Sequence, residues 1–240
     1  GVRVRQDGAC GIAAPQMTGA DFTSRMVALL AAMRRERNGA VADEMRFFGA
    51  PYGLNLGVSL PTLRRIARAQ APDHAFALYL CSQDVRELRL AAFHIAEPER
   101  LSAEELPRWG AAIVNSEAAE EAAFGLLSRA AVFSSLFDEW TFSENPLLVY
   151  AALMGAARRS DAPTAWAERA AEALQRVATA TEEGGQPAYA ARLTAQGAAA
   201  LLTAIGSRDE KNRQAAIRAA GSGGDTPAER YLRDELAWRL

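Results

Sequence analysis

Helix-start signals recur about every twenty residues along this chain, and this spacing constrains the possible fold more than any other feature. Each signal is a polar or proline residue placed to begin a helix, followed by apolar residues at helical spacing. The signals stand at Asp21 or Thr23, Ser59, Asp73, Asp84, Ser102, Ser116, Asn145, Asp161, Pro187, Asp209 and Thr226. We expect the first helix to end at Gly39 and the helix from Ser116 to reach Phe133. The spacing predicts about a dozen helices.

The residues between these signals favour helix over strand. Half of the chain is hydrophobic, but only 8% is aromatic, and alanine dominates residues 118–131 and 195–204. No alternating strand pattern of useful length occurs. Helices with one apolar stripe bury it by antiparallel pairing and side-by-side stacking, and a pair spacing of about forty residues lies in the HEAT and armadillo range. The sequence therefore predicts an all-α solenoid (superhelix) of HEAT-like antiparallel helix pairs, with a compact irregular bundle as the alternative.

The ends and linkers of the chain give an expectation about domains and location. Residues 1–19 contain no apolar segment of signal-peptide length, so we expect a disordered leader or cloning remnant, with Met17 a plausible start. Residues 20–240 are predicted to form a single domain, because only residues 221–224 are of low complexity. The longest apolar run, near residues 147–157, is shorter than a membrane helix requires. We expect a cytoplasmic protein that does not bind membranes.

Cysteine, histidine and charge patterns limit the chemistry. Cys10 and Cys81 form no paired motif, and His74 and His94 lie twenty residues apart, so we expect neither a metal nor another cofactor. We interpret the two histidines as a helix-start residue and a core residue. Residues 1–70 carry ten arginines against five acids, whereas residues 71–145 carry five against thirteen. A polyanion would therefore prefer the N-terminal part.

Three blocks of sequence resemble a known family. Residues 45–49 and 56–67 read Met-Arg-Phe-Phe-Gly and Leu-Gly-Val-Ser-Leu-Pro-Thr-Leu-Arg-Arg-Ile-Ala, and residues 204–209 read Ala-Ile-Gly-Ser-Arg-Asp. These blocks resemble segments of bacterial AlkD-like DNA alkylation repair proteins, and the resemblance spans about residues 24–220. It implies a fold of HEAT-like repeats. Some members of that family remove alkylated bases from DNA.

The resemblance also implies a set of site positions on the concave face of the solenoid. The family's Ser-Trp-Asp-x-x-Asp segment falls on residues 116–121, so its tryptophan becomes Glu117 and its last aspartate becomes Glu121. An arginine position falls on Tyr150, and a later tryptophan and arginine fall on Ala200 and Thr203. Glu121 is therefore the catalytic candidate. The remaining candidates for the concave groove are Glu117, Tyr150, Ala200, Thr203 and Arg208.

These substitutions bear on the reaction. Release of a cationic alkylated base passes through an oxocarbenium-like sugar, which a carboxylate stabilises while aromatic faces hold the nucleotide. Glu121 keeps the carboxylate, but the stacking and phosphate-binding positions are replaced. The sequence predicts a diverged family member that binds DNA and has little or no base-excision (DNA glycosylase) activity. The alternative is a non-catalytic HEAT-repeat scaffold that binds a protein or peptide in its concave groove.

Further residues are interpreted with their alternatives. Phe47, Phe48 and Tyr52 stand in a predicted loop beside arginines, a mixture typical of nucleic-acid contacts, although a helix-capping cluster is the alternative. The nucleic-acid-binding candidates are Arg46, Tyr52, Arg64, Arg65, Arg68, Arg158 and Arg159. Glu117, Glu120 and Glu121 share one side of a helix and are interpreted as first-turn acids rather than as an acid pair or half of a metal site. The four tryptophans, at 109, 140, 166 and 238, are interpreted as core residues.

Overall fold

The computed structural model of the chain describes residues 19–185 and 187–240. Within these ranges the chain forms thirteen α-helices joined by short connections. The connections between the fifth and sixth, the seventh and eighth, and the tenth and eleventh helices contain 3-10 turns. The helices are α1 (Gly19–Arg35), α2 (Gly39–Phe47), α3 (Leu60–Arg68), α4 (His74–Cys81), α5 (Arg86–Ile95), α6 (Leu106–Ala111), α7 (Ser116–Gly125), α8 (Phe133–Trp140), α9 (Pro146–Ala157), α10 (Trp166–Val177), α11 (Tyr189–Gly206), α12 (Glu210–Gly221) and α13 (Pro227–Arg239). Residues 1–18 of the expected leader, with Cys10 and Met17, lie outside the described residues.

Most of the expected helix starts are confirmed by their caps. The side chains of Ser59, Asp73, Asn145, Asp209 and Thr226 each accept a hydrogen bond from a main-chain amide in the first turn of the helix that follows. Both capping boxes form, although the box at Ser102 and Glu105 begins a 3-10 turn that leads into α6. These caps satisfy amides that have no partner within the helix.

Four expected boundaries were wrong. The helix expected to start at Asp161 begins at Trp166, and the residue before it makes no side-chain cap. Gly39 does not end α1 but begins α2, which Asn38 caps, so residues 39–47 are helical. The helix from Ser116 ends at Gly125, and α8 is a separate helix whose preceding residue makes no side-chain cap. The helix expected from Asp84 begins at Arg86. Its first amide donates to the Leu54 carbonyl at 3.0 Å, so the cap comes from a distant segment that local sequence does not reveal.

The helices stack as the predicted α-solenoid and not as the alternative bundle. Alternate helices α3, α5, α7, α9, α11 and α13 pack each against the next, and we call this series the central row. The intervening helices α4, α8, α10 and α12 pack against their chain neighbours in the row. One cluster of buried side chains runs through the stack from Leu29 to Leu236. Because each helix contacts mainly its neighbours, the side chains of one row helix contact those of the next row helix along the whole series.

The tryptophans divide between the core and the surface. Trp109 and Trp140 are buried, and Trp166 is half-buried with its ring stacked on Phe137 at 4.0 Å between centroids. The core interpretation is wrong for Trp238, which is 87% exposed because α13 turns this side chain away from the helices it packs on. No described helix is long and apolar enough to cross a membrane.

Candidate functional site

A network of charged side chains connects α3, α5 and α7 in the central row. The first turn of α7 is fixed by the Asn115 side chain, which accepts from the Ala118 amide at 2.8 Å. Glu117 and Glu121 are four residues apart on this helix, so both project from one side of it, toward α5. Each of these carboxylates is held by basic side chains from preceding helices of the row.

Glu121 is buried between two basic groups. The Glu121 side chain is 1% exposed. It accepts hydrogen bonds from two nitrogens of the Arg64 guanidinium group, Nε at 3.1 Å and Nη2. A carboxylate oxygen of Glu121 also lies 2.6 Å from His94 Nε2. Burial opposes ionisation of this carboxyl, but the hydrogen bonds from His94 and Arg64 outweigh it and lower the pKa of Glu121 to about 2. Glu121 is therefore ionised at neutral pH, and His94 Nε2 carries the proton that it donates.

A glycine makes the approach of His94 to α7 possible. A Cβ atom on Gly125 would lie 2.9 Å from His94 Cε1 and 2.9 Å from the Phe93 carbonyl oxygen. Main-chain atoms cannot move aside as a flexible side chain can, so any larger residue would force α5 and α7 apart. Gly125 thus sets the distance at which His94 meets Glu121.

Glu117 belongs to a second ion-pair group. Arg86 donates to both of its carboxylate oxygens, from Nε at 2.7 Å and from Nη2 at 2.8 Å. Arg86 Nη1 also donates to the Val58 carbonyl and to Glu87 Oε1, both at 2.9 Å, while Glu87 accepts from the amides of Leu56 and Val58. Arg86 and Glu87 are 1% and 0% exposed. This arrangement fixes Glu117 and ties the segment before α3 to α5.

The third acid of α7 faces α9. Tyr150 donates its hydroxyl hydrogen to Glu120 Oε1 at 2.6 Å and is 4% exposed, and burial together with Glu120 raises the pKa of the tyrosine. The next row helix, α11, packs closely here, since a Cβ on Gly197 would lie 3.3 Å from Tyr150 Cδ2. Tyr150 is thus a packed residue with its polar end satisfied.

The structure brings some of the site candidates together and leaves others apart. Glu117, Glu121 and Tyr150 lie on adjacent row helices and are linked through α7. Ala200 and Thr203 are half-buried on α11, one to two turns after Gly197 on the same helix, and no hydrogen bond or ion pair within the described residues joins them to the α7 acids. Arg208 is exposed and donates to the carbonyls of Ala162 and Arg159, away from the acids.

The nucleic-acid-binding candidates also separate into groups. Arg64 is occupied by Glu121, and Arg159 by Asp161 and main-chain carbonyls, whereas Arg158 lies over the Phe124 ring at 3.8 Å. Arg65 and Arg68 are exposed and make no ion pair within the described part of the chain.

The aromatic residues expected in a loop beside Arg46 do not all lie in a loop. Arg46 and Phe47 belong to α2 rather than to a loop, because the helix that Asn38 caps continues through them. Arg46 pairs with Asp43 at 2.9 Å on the surface. Tyr52 does lie after the helix and is half-buried. Burial, and to a smaller extent the negative charge of Glu117, raises the pKa of the Tyr52 hydroxyl to about 12.

The sequence interpretation missed Arg86, Glu87 and the role of His94. The signal for them is present in α5, where the charged residues Arg86 and Glu87 begin a helix that continues with Leu88, Leu90, Ala91, Ala92 and Phe93 before His94. Arg86 and His94 are eight residues apart and so lie on one side of the helix. Charged residues on a buried face require partners, which here are the acids of α7. His94 has a buried side chain, as expected, but it is also a direct partner of the catalytic candidate.

A cleft opens beside this network. It has a volume of about 400 Å³ and lies between the end of α2 and the start of α7. Phe48 and Tyr52 line one side, and Asn115 and Glu117 line the other. The cleft therefore joins an aromatic surface to the outer edge of the ion-pair network.

Comparison with known proteins gives two findings. A family described as DNA alkylation repair enzyme matches residues 29–226. A solved structure described as "a new family of proteins related to the HEAT-like repeat DNA glycosylases with affinity for branched DNA structures" is similar with a TM-score of 0.66 and 15% identity, over 91% of this chain and 95% of that one. At this identity the likeness concerns the fold alone. No curated protein sequence matches the chain.

Proposed function

Because the chain belongs to the DNA alkylation repair enzyme family, we propose that it is a DNA-binding protein with little or no base-excision activity. The observation that carries this proposal is the state of Glu121. A glycosylase carboxylate must face the sugar of the damaged nucleotide and stabilise positive charge that develops there. Glu121 is buried, and its charge already faces Arg64 and His94.

The surroundings of Glu121 support the same proposal. Base excision needs the damaged nucleotide to be held against the carboxylate, since a carboxylate accelerates cleavage only in the right geometry. Glu117, at the family's aromatic position, is an acid fixed by Arg86, and Tyr150, at an arginine position, is packed against α11. Neither residue offers an aromatic face or a positive charge to a nucleotide.

The distribution of charge supports DNA binding. Arginines outnumber acids in the first three helices, and several of them are exposed. Each phosphate that such a residue neutralises releases condensed counterions, which favours binding at low salt. The structurally similar protein is described as having affinity for branched DNA, and branched DNA is accordingly the form that we propose for this chain.

A binding titration tests the proposal. Fluorescence anisotropy at low salt would compare a linear duplex, a nicked duplex, and three-way and four-way junctions of matched sequence. We expect measurable affinity for every form and the highest affinity for the junctions. Absence of binding to all of them would make the proposal wrong and would favour the scaffold alternative, in which the groove holds a protein or peptide.

A further inference from the structure

Two adjacent phenylalanines are exposed where α2 ends. Phe47 is 83% exposed and Phe48 is 77% exposed, and their rings meet edge to face at 5.3 Å between centroids. Single exposed apolar side chains are ordinary, but two large neighbouring rings form a patch that packing among the described residues does not explain. Phe48 also lines the cleft that contains Tyr52 and Glu117.

Exposed cations surround the other end of the same short helix. Residues 34–70 contain seven arginines against three acids. Five of these arginines are exposed and make no ion pair within the described residues: Arg34, Arg35, Arg37, Arg65 and Arg68. Arg37 lines a second cleft with Val41 of α2 and Thr62 of α3, and Arg65 lies one helical turn beyond Thr62 on the same face.

The helix α2 sets the distance between the two features. Val41 borders the arginine-lined cleft, and Phe48 immediately follows the other end of α2. At 1.5 Å per residue these positions are separated by about 10 Å along the helix axis. This length equals about three nucleotide steps of one strand in a duplex. One strand of a duplex could therefore place its phosphates on the arginines while the terminal base pair of that duplex meets the phenyl rings.

We propose that the pair formed by Phe47 and Phe48 stacks one ring on a base face exposed at the branch point of DNA, with the other ring supporting the first edge to face, while Arg34, Arg37, Arg65 and Arg68 hold the phosphates leading to it. This inference rests on the proposed DNA-binding function and names the part of the DNA that is recognised. In a linear duplex the interior base faces are covered by their neighbours, whereas a branch interrupts stacking and exposes faces. Phenyl rings stack on any base and form no hydrogen bonds with base edges, so this contact reads shape rather than sequence.

The test compares a Phe47→Ala/Phe48→Ala double variant with Trp238→Ala, which removes an exposed aromatic residue from the opposite end of the solenoid. Affinities for a four-way junction and a linear duplex of matched sequence are measured at one salt concentration. The double variant is expected to lose affinity for the junction by about tenfold and for the duplex by less than about threefold. Trp238→Ala should change neither affinity. A 2-aminopurine base at the branch point should change fluorescence on binding the wild type, but not the double variant.

The outcomes separate the two proposals. If the wild type binds DNA and the double variant keeps its junction affinity, the stacking inference is wrong while the proposed function stands. The same conclusion follows if the double substitution changes only self-association of the protein, measured by sedimentation. If the wild type binds neither DNA, both proposals are wrong. Circular dichroism of the double variant would match the wild type, because the removed rings are exposed.

Discussion

The surroundings of one carboxylate decide what the site can do. Glu121 accepts hydrogen bonds from an arginine and a histidine on the two preceding row helices, and its pKa falls to about 2. An acid in this state is a structural counterion, whereas an acid that faces an open cleft can interact with substrate. The sequence singled out Glu121 as a candidate, because the resemblance implies that it stands at the family's aspartate position. Its partners could not, because Arg64 and His94 stand 57 and 27 residues away in the chain.

The first prediction concerns the stability that Glu121 provides. The sequence alone predicts little effect of Glu121→Gln unless the side chain is buried and paired, and the structure shows that it is both. We expect the variant to lose about 3 kcal/mol in free energy of unfolding at pH 7, because Arg64 loses its counterion and His94 loses the ionised oxygen to which it donates. Urea denaturation measures this, with exposed Glu36→Gln as the control that should change stability little.

The pH dependence of the same comparison provides a further check. The pKa of Glu121 is lowered from 4.5 to about 2 in the folded protein, so its stabilising effect is present above pH 4.5 and is lost as the pH falls toward 2. The difference in stability between wild type and Glu121→Gln should therefore shrink over this interval. A difference that stays constant from pH 7 to pH 2.5 would mean that the ionised carboxylate is not what stabilises the fold.

At the scale of helices, close contacts determine how the row is spaced. Local capping signals predicted most helix starts, because a cap depends on residues adjacent in sequence. Two of the missed boundaries depend on distant residues, whereas α2 begins after a local cap, Asn38, that the sequence interpretation overlooked. The start of α5 is bound to Leu54, and α7 ends at Gly125, where His94 and the Phe93 carbonyl leave no room for a side chain.

Gly125→Ala tests the contact between α5 and α7. The added methyl group must displace His94 or the backbone of α5, and we expect a loss of about 1 to 3 kcal/mol in free energy of unfolding. Gly39→Ala is the matched control, because Gly39 is also helical and no heavy atom lies within 4 Å of its added Cβ. If both substitutions had equal effects, close approach of His94 would not explain the glycine at 125.

For the whole molecule, the separation of charge along the solenoid indicates where DNA would bind. The N-terminal helices present unpaired arginines, whereas in the middle region Glu87, Glu117 and Glu121 are paired within the network of α3, α5 and α7. Sequence counting predicted this asymmetry, since residues 1–70 are the most basic part of the chain. Counting residues in the sequence could not distinguish exposed arginines from arginines that pair with acids inside the fold, such as Arg64 and Arg86.

An Arg65→Ala/Arg68→Ala variant tests this assignment. Because these side chains would contact phosphates, we expect weaker binding to every DNA form and a slope of log affinity against log salt reduced by about 2. Arg218→Ala, an exposed arginine on α12, is the control and should leave the slope unchanged. Equal slopes for wild type and double variant would place the DNA elsewhere on the protein.

The most direct measurement of the central claim is base release from alkylated DNA. Duplex DNA containing a cationic alkylpurine is incubated with excess protein, and free base is quantified by chromatography against a reaction without protein. We predict release at the uncatalysed rate, because Glu121 is buried and paired, and neither Glu117 nor Tyr150 offers a nucleotide an aromatic face or a positive charge. Release much faster than the control, and abolished in Glu121→Gln, would contradict the proposal that this family member has little or no base-excision activity.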